Sequence, residues 1–346
     1  MKRVGRAIFT LIALASCAQA QVNSLTNATA NTPLKLIATI PLPGLHDGDF
    51  DHFATDIEGH RLFLMAEENE KVLVLDINAN KLVHTIADVK APHSALFRQD
   101  LKKLFVVDGD DSAVKVYDSD TYKQVGRVDL AADADSMVYD DVTKYMYVVN
   151  GGRAAKTPYS YITAVDTTAF KKANEIKVDS DRVEAMALEN NGPRLFCNIT
   201  GKDAVGVFDR KTGALVATWP LPAGTRQNVS LALDEANRRV FVVTRQPGQL
   251  IALNSDDGRV IASVPAVGMV DDLAYDAKQK RLYLAGDQFV DVFEQKDADH
   301  YYLLGRIPGS FRAKTAILVP ELHRYFLAVP HHGQRSAEVR VYAVQP

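Results

Sequence analysis

MYVVN, residues 146–150, is a short apolar run with an aromatic in second place, and the chain writes that phrase seven times. The other copies are LFLMA (62–66), LFVVD (104–108), LFCNI (195–199), VFVVT (240–244), LYLAG (282–286) and YFLAV (325–329). The marker aromatics Phe63, Phe105, Tyr147, Phe196, Phe241, Tyr283 and Phe326 stand 42, 42, 49, 45, 42 and 43 residues apart. A repeat of roughly 40–50 residues with four strand signals per unit predicts an all-β, seven-bladed β-propeller.

Each unit reads alike around that phrase. A first apolar strand precedes it: HFAT at 52–55, SALF at 94–97, SMVY at 136–139, AMAL at 185–188, SLAL at 230–233, DLAY at 272–275 and TAIL at 315–318. A polar turn with Asp56, Asp140, Glu189, Asp234 or Asp276 joins the two. A third strand alternates apolar and polar residues, as in VLVLD (72–76) and VKVYD (114–118), and a fourth follows, as in KLVHTI (81–86) and ALVATW (214–219). Runs of this length rich in β-branched and aromatic residues, bounded by Gly, Asp or Asn, are strand signals. The last unit stops after its third strand, at Pro346. LKLIATIPLPG (34–44) echoes LVATWPLPAG (215–224), so the N-terminal segment 34–40 is expected to complete blade seven and close the ring. Closure also removes an exposed sheet edge.

These phrases carry a family resemblance. MYVVN (146–150) and VLVLDINANKLVHTI (72–86) resemble the repeats of the YVTN-type (YncE-like) seven-bladed propellers, over about residues 34–346. Blade three departs from the pattern by an insertion, GGRAAKTPYSY (151–161). The resemblance implies an exported or surface-attached protein with a binding role. It implies no single chemistry, because a fold does not fix a function.

The first twenty residues read as a signal peptide. Lys2, Arg3 and Arg6 form a charged region, and Ile8 to Ala15 is an apolar stretch too short for the ~20 residues of a membrane span. Ala18-Gln19-Ala20 is a small-x-small cleavage site, while Leu14-Ala15-Ser16-Cys17 resembles a lipobox that would place a lipid anchor on Cys17. The expected location is periplasmic or extracellular. Cleavage after Ala20 removes three basic residues and moves the net charge from −3 to −6. Cys197 is then the lone cysteine, so no internal disulfide is expected. Residues 21–33 read as a flexible polar leader. Lys+Arg 40 against Asp+Glu 43, without a basic tract, argue against a nucleic-acid partner.

Chemistry is expected where the first strands converge. Their leading residues, His52, Ser94, Ser136, Ala185, Ser230, Asp272 and Thr315, are small or polar and are placed on the tunnel wall. One residue earlier stands a charged rim of Asp51, His93, Asp135, Glu184, Asp271 and Lys314, broken by Val229 beside Asn228. Arg182, Arg226 and Arg312 lie just before it. The loops joining second to third strands open on the same face and bring Glu67-Glu68-Asn69-Glu70, Asp108-Gly109-Asp110-Asp111 and His331-His332.

Three readings of this mouth stand side by side. One is a water-filled tunnel whose polar groups cap strand starts. Another is a divalent-metal site using His52, His93, Asp135, Glu184 and Asp271, although no tight ligand motif is present. The last is an anion or peptide site built on Arg182, Arg226, Arg312 and Lys314. The leading functional expectation is a non-catalytic propeller that binds a small ligand, a peptide or an envelope protein. The alternatives are a metal-dependent hydrolase or lyase of the gluconolactonase-like kind and, from similarity to the propeller subunits of quinoprotein amine dehydrogenases, a partner in periplasmic electron transfer. The chain has no C-x-x-C-H haem motif of its own.

Overall fold

The computed structural model describes residues 32–346. The signal peptide, Cys17 and most of the expected leader lie outside these residues. Seven four-stranded antiparallel sheets stand around a common axis, each built from consecutive strands except the last. There the strand Leu34–Leu42 pairs with the C-terminal strand Ala337–Val344, giving blade seven its fourth member. The ring is therefore closed by the two ends of the chain, as the echo between residues 34–44 and 215–224 implied. Just before this strand, Pro33 O accepts a bond of 2.9 Å from Gln345 N.

Seven apolar clusters fill the seven wedges between blades, including the wedge between blades seven and one. Six of the marker aromatics are fully buried and Tyr147 is 4% exposed. Each faces a neighbouring blade, so the repeated aromatic is the unit of inter-blade packing. Trp219 packs on Phe196 at a centroid distance of 5.8 Å, and Cys197 is buried. The turn acids are explained by local geometry. Asp56 Oδ1 accepts Gly59 N and Asp276 Oδ1 accepts Lys278 N, both short side-chain turns that reverse the chain. Near these turns, arginines tie one blade to the next: Arg61 Nη1 donates to Ser119 O (2.6 Å) and Arg239 Nε to Ala298 O (2.9 Å).

One feature of the repeat is invisible to simple alternation. In all seven blades the pairing between third and fourth strands slips by one residue, leaving Val83, Val125, Ala173, Val216, Ile261, Leu304 and Ile37 as the extra residues. A bulge flips the faces on either side of it. In blade seven, Leu34 accordingly packs towards blade six, while Ile40 and Leu42 pack towards blade one. Leu36 and Ile37, which an unbroken strand suggests burying, are 51% and 44% exposed. Adjacent apolar pairs such as Leu82-Val83 and Leu215-Val216 are the sequence trace of this slip.

No helix among the described residues is long and apolar enough to cross a membrane.

Candidate functional site at the channel mouth

All seven rim residues, one from each blade, line a single cavity of about 170 Å³: Asp51, His93, Asp135, Glu184, Val229, Asp271 and Lys314. Their backbone places them there. Each of Asp51, Asp135, Glu184 and Asp271 donates its N–H to the neighbouring strand (Met65 O, Val149 O, Asn198 O and Ala285 O), extending the ladder just past the first strand. His93 sits at a slip between Pro92 and Ser94, a bulge that aims its ring at the axis.

Charged side chains form two groups that meet at Asp271-Asp272. In one, His52 Nδ1 bonds Asp272 Oδ1 at 2.7 Å and its Nε2 lies 3.4 Å from Asp51 Oδ1. Asp51 Oδ2 accepts His93 Nδ1 at 2.7 Å, and Asp135 Oδ1 stands 3.8 Å from that nitrogen. In the other, Asp271 takes Lys314 Nζ at 2.5 Å and the Arg245 guanidinium. Burial works to raise the Asp51 carboxyl, but the imidazoliums of His52 and His93 outweigh it and hold it at about 2. Burial likewise disfavours charge on His93, yet the bond to Asp51 and the field of Asp135 bring it to about 10. His52 is raised well above the usual range, Asp272 and Asp51 outweighing its burial.

Three carboxyls have no cation in close contact, the nearest being His93 Nδ1 at 3.8 Å from Asp135 and Arg182 Nη2 at 3.5 Å from Glu184. Burial pushes Asp135 to about 6 and Glu67 to about 7. Burial and the neighbouring Asp135 push Glu184 to about 8. Among the described residues, no side chain or backbone N–H bonds the Asp135 carboxylate within hydrogen-bond distance, and Glu184 meets only Arg182 Nη2 at 3.5 Å.

Below the mouth a second cavity of about 290 Å³ follows the axis. Large residues that pack in the wedges also reach its wall. Phe53, Met137, Met186, Leu231 and Leu273 line it together with His52, Ser94, Ser136, Ala185, Ser230 and Asp272. Several leading hydroxyls are turned aside to latch blades together: Ser94 Oγ donates to Asp135 O, Ser230 Oγ to Asp271 O and Thr315 Oγ1 to Phe50 O.

Other expected members fall elsewhere. Arg226 is exposed and does not line the mouth. Asn228 is fully buried and donates to Asn198 Oδ1 and Ala204 O, because pairing slips between Asn228 and Ser230 and turns it into the blade. Arg312 pairs outward with Asp49 (2.5 Å) and Glu68 (3.2 Å). Arg182 lines an adjoining side cavity with Asp135 and Glu184. Asp108 is buried against Lys115 (2.9 Å) rather than facing the mouth. His331 pairs with Asp47 while His332 stacks on Phe311, so the two rings diverge. Sequence reasoning did not single out Arg245, and it placed Glu67 only within a loop. Glu67 comes from the second-to-third-strand connection of blade one, where strand alternation says nothing about direction, and Arg245 from the end of the strand Arg239–Gln246, past the apolar run.

The five residues expected to bind a metal do not converge as a set. Among the described residues, ligand atoms within 4.8 Å of one another belong to Asp51, Glu67 and His93, so His93 alone of the five is a member. Imidazole with two carboxylates suits a first-row divalent ion, and three protein ligands leave a position open to water.

No protein-family model matches the chain, and no curated protein matches it. Solved structures share its fold. Hydrazine synthase of Kuenenia stuttgartiensis superposes with a TM-score of 0.71 at 15% identity, covering 83% of this chain and 95% of that one. A chain of a mitotic checkpoint complex superposes with a TM-score of 0.73 at 12% identity, covering 100% of this chain and 98% of that one. At such identities the likeness concerns the propeller fold alone.

Proposed function

We propose that this chain is an exported, non-catalytic propeller of the YVTN type that receives a cationic group at its channel mouth. The group is a protonated amine of a small ligand, or the tip of a basic side chain on a peptide or envelope protein. One observation carries the reading: Asp135, Glu184 and Glu67 gather at a half-buried mouth where Asp51 and Asp271 hold His52, His93, Arg245 and Lys314, and where the nearest cation left to Glu184 is Arg182 at 3.5 Å. Carboxyls held out of water without partners stay protonated at a cost, and an incoming cation relieves it. Export rests on the character of residues 1–20. Titration calorimetry with n-butylamine and with methylguanidine at pH 8 tests the proposal. Binding that Asp135→Asn together with Glu184→Gln abolishes supports it. No heat from either probe, or turnover of lactones that is lost in His52→Ala and His93→Ala, overturns it.

A second reading has its own observation. The approach of Asp51, Glu67 and His93 fits a divalent ion that would act as Lewis acid or activate water, as in a metal-dependent hydrolase. Elemental analysis of protein purified without a His-tag decides it: a stoichiometric metal lost in Glu67→Gln supports this reading, and metal-free protein removes it.

A further inference from the structure

The regular ring is interrupted at blade three, and the interruption builds a compartment. Residues 152–159 connect its second and third strands, where blades one, two and four use tight turns such as 67–70 and 200–203. The longer loop is tied down. Gly152 N donates to Tyr159 O (3.0 Å), Thr157 N to Gly152 O (3.0 Å) and Arg153 N to Asp181 O (3.1 Å). Ser160 Oγ donates to Ser180 O at 2.9 Å. Gly152 has φ +72°, and a Cβ there would meet Asp181 O at 2.5 Å, so the two loops touch backbone to backbone. The loop of blade three is thus fastened to the entry loop of blade four.

Between them lies a cavity of about 340 Å³ lined by Asp133, Asp135, Arg153, Asp181, Arg182 and Glu184. Asp135 and Glu184 also line the mouth, so the side cavity and the mouth adjoin along these two carboxyls. The guanidiniums are loosely held: Arg153 Nε stands 3.5 Å from Asp181 Oδ2, and Arg182 Nη2 stands 3.5 Å from Glu184 Oε1. No other side-chain contact of either guanidinium is made within hydrogen-bond distance among the described residues. A guanidinium fork with spare N–H groups is a receptor for a carboxylate. One compartment therefore offers acceptors for a cation and donors for an anion.

We propose that the ligand is a zwitterion of amino-acid size, its ammonium on Asp135 and Glu184 and its carboxylate between Arg153 and Arg182. This rests on the cationic-group reading of the mouth and narrows it. A simple amine satisfies the carboxyls and leaves the guanidiniums to water. A simple acid does the reverse. Only a molecule carrying both charges matches both ends, and a cavity of this volume lies at the small end of the ~300–1,000 Å³ of ligand pockets.

The test starts with a thermal-shift screen of the twenty L-amino acids on the full purified chain. The best binder is then compared by calorimetry with its decarboxylated amine and its deaminated acid. The amino acid is expected to bind at least tenfold more tightly than either half. Arg153→Ala with Arg182→Ala should erase that advantage while the amine still binds, and Arg182→Lys should keep part of it. Circular dichroism verifies that the variants are folded. If the amine binds as tightly as the amino acid, or the double arginine variant behaves as wild type, the zwitterion proposal falls and the cationic mouth stands. If neither amino acids nor amines bind, both fall.

Discussion

Ile37 and Ile40 offer a matched pair for testing how the ring closes. They are the same residue type, three positions apart on one strand, one at the change of face and the other beyond it. Ile40 is fully buried in the wedge between blades seven and one, in one cluster with Phe53, Leu62, Phe326 and Val339. Ile37 is the bulged residue and is 44% exposed. Truncating a packed Ile to Ala costs about 2–5 kcal/mol through lost transfer energy and the cavity left behind. Surface substitutions lie within about 0.5 kcal/mol, and the half-exposed Ile37 should cost no more than about 1 kcal/mol. The lower bound for Ile40→Ala is thus about twice the upper bound for Ile37→Ala. The assay is urea unfolding followed by far-UV circular dichroism and by tryptophan emission. The chain has one Trp, and Trp219 reports from the wedge between blades four and five, far around the ring from the substitution. If closure makes the ring one cooperative unit, Ile40→Ala lowers both transitions together. Equal shifts for the two variants would refute the change of face. A dichroism transition that moves while the Trp219 transition stays put would refute the coupling.

Two further expectations concern the mouth. Binding of n-butylamine should tighten as pH rises from 6 to 8.5, because Asp135 at about 6, Glu67 at about 7 and Glu184 at about 8 must lose protons to receive it; affinity that is flat across this window in calorimetry removes these carboxyls from the site. Gly109→Ala should dislodge His93, since a Cβ at residue 109 would lie 2.8 Å from the ring atoms Cδ2 and Nε2. With the bond to Asp51 weakened, the His93 imidazole should titrate below its present value of about 10, read by nitrogen-15 NMR; an unchanged titration shows that the ring is not held against this turn.

How much of this was legible beforehand follows from what alternation along a strand can encode. The period of the marker aromatics carries the blade count, and their burial at the wedges explains why the period is kept. The rim was legible because Asp51, His93, Asp135, Glu184, Val229, Asp271 and Lys314 share one place in the repeat, and a closed ring makes equivalent places neighbours. Counting further back failed, since Arg226, Asn228 and Arg312 lie beyond slips or turns that change direction. The bulges depend on cross-strand pairing, which one strand's pattern does not contain. Glu67 projects from a connection with no period at all and Arg245 from the last residues of the strand Arg239–Gln246, beyond the apolar run, so only the folded backbone shows that they reach the axis.

The carboxyls of the mouth also separate a binding role from a structural one. Asp51 and Asp271 each meet two cationic groups and behave as parts of the scaffold. Glu184 differs: burial and Asp135 raise it from an ordinary 4.5 to about 8. Its sign is definite. Between those two values the folded state binds more protons than the unfolded state, so stability falls as pH rises through the window, and the loss is complete above about 8. Glu184→Gln removes the charge while preserving the shape. The variant should match wild type below pH 4.5, unfold at higher urea at pH 9, and bind n-butylamine more weakly at both pH 8 and pH 9. A residue that lowers stability while supplying affinity is what a stability–function trade-off demands of a binding site. If Glu184→Gln is instead less stable than wild type at pH 9, the carboxylate belongs to the scaffold, and the cation that compensates it is already within the chain.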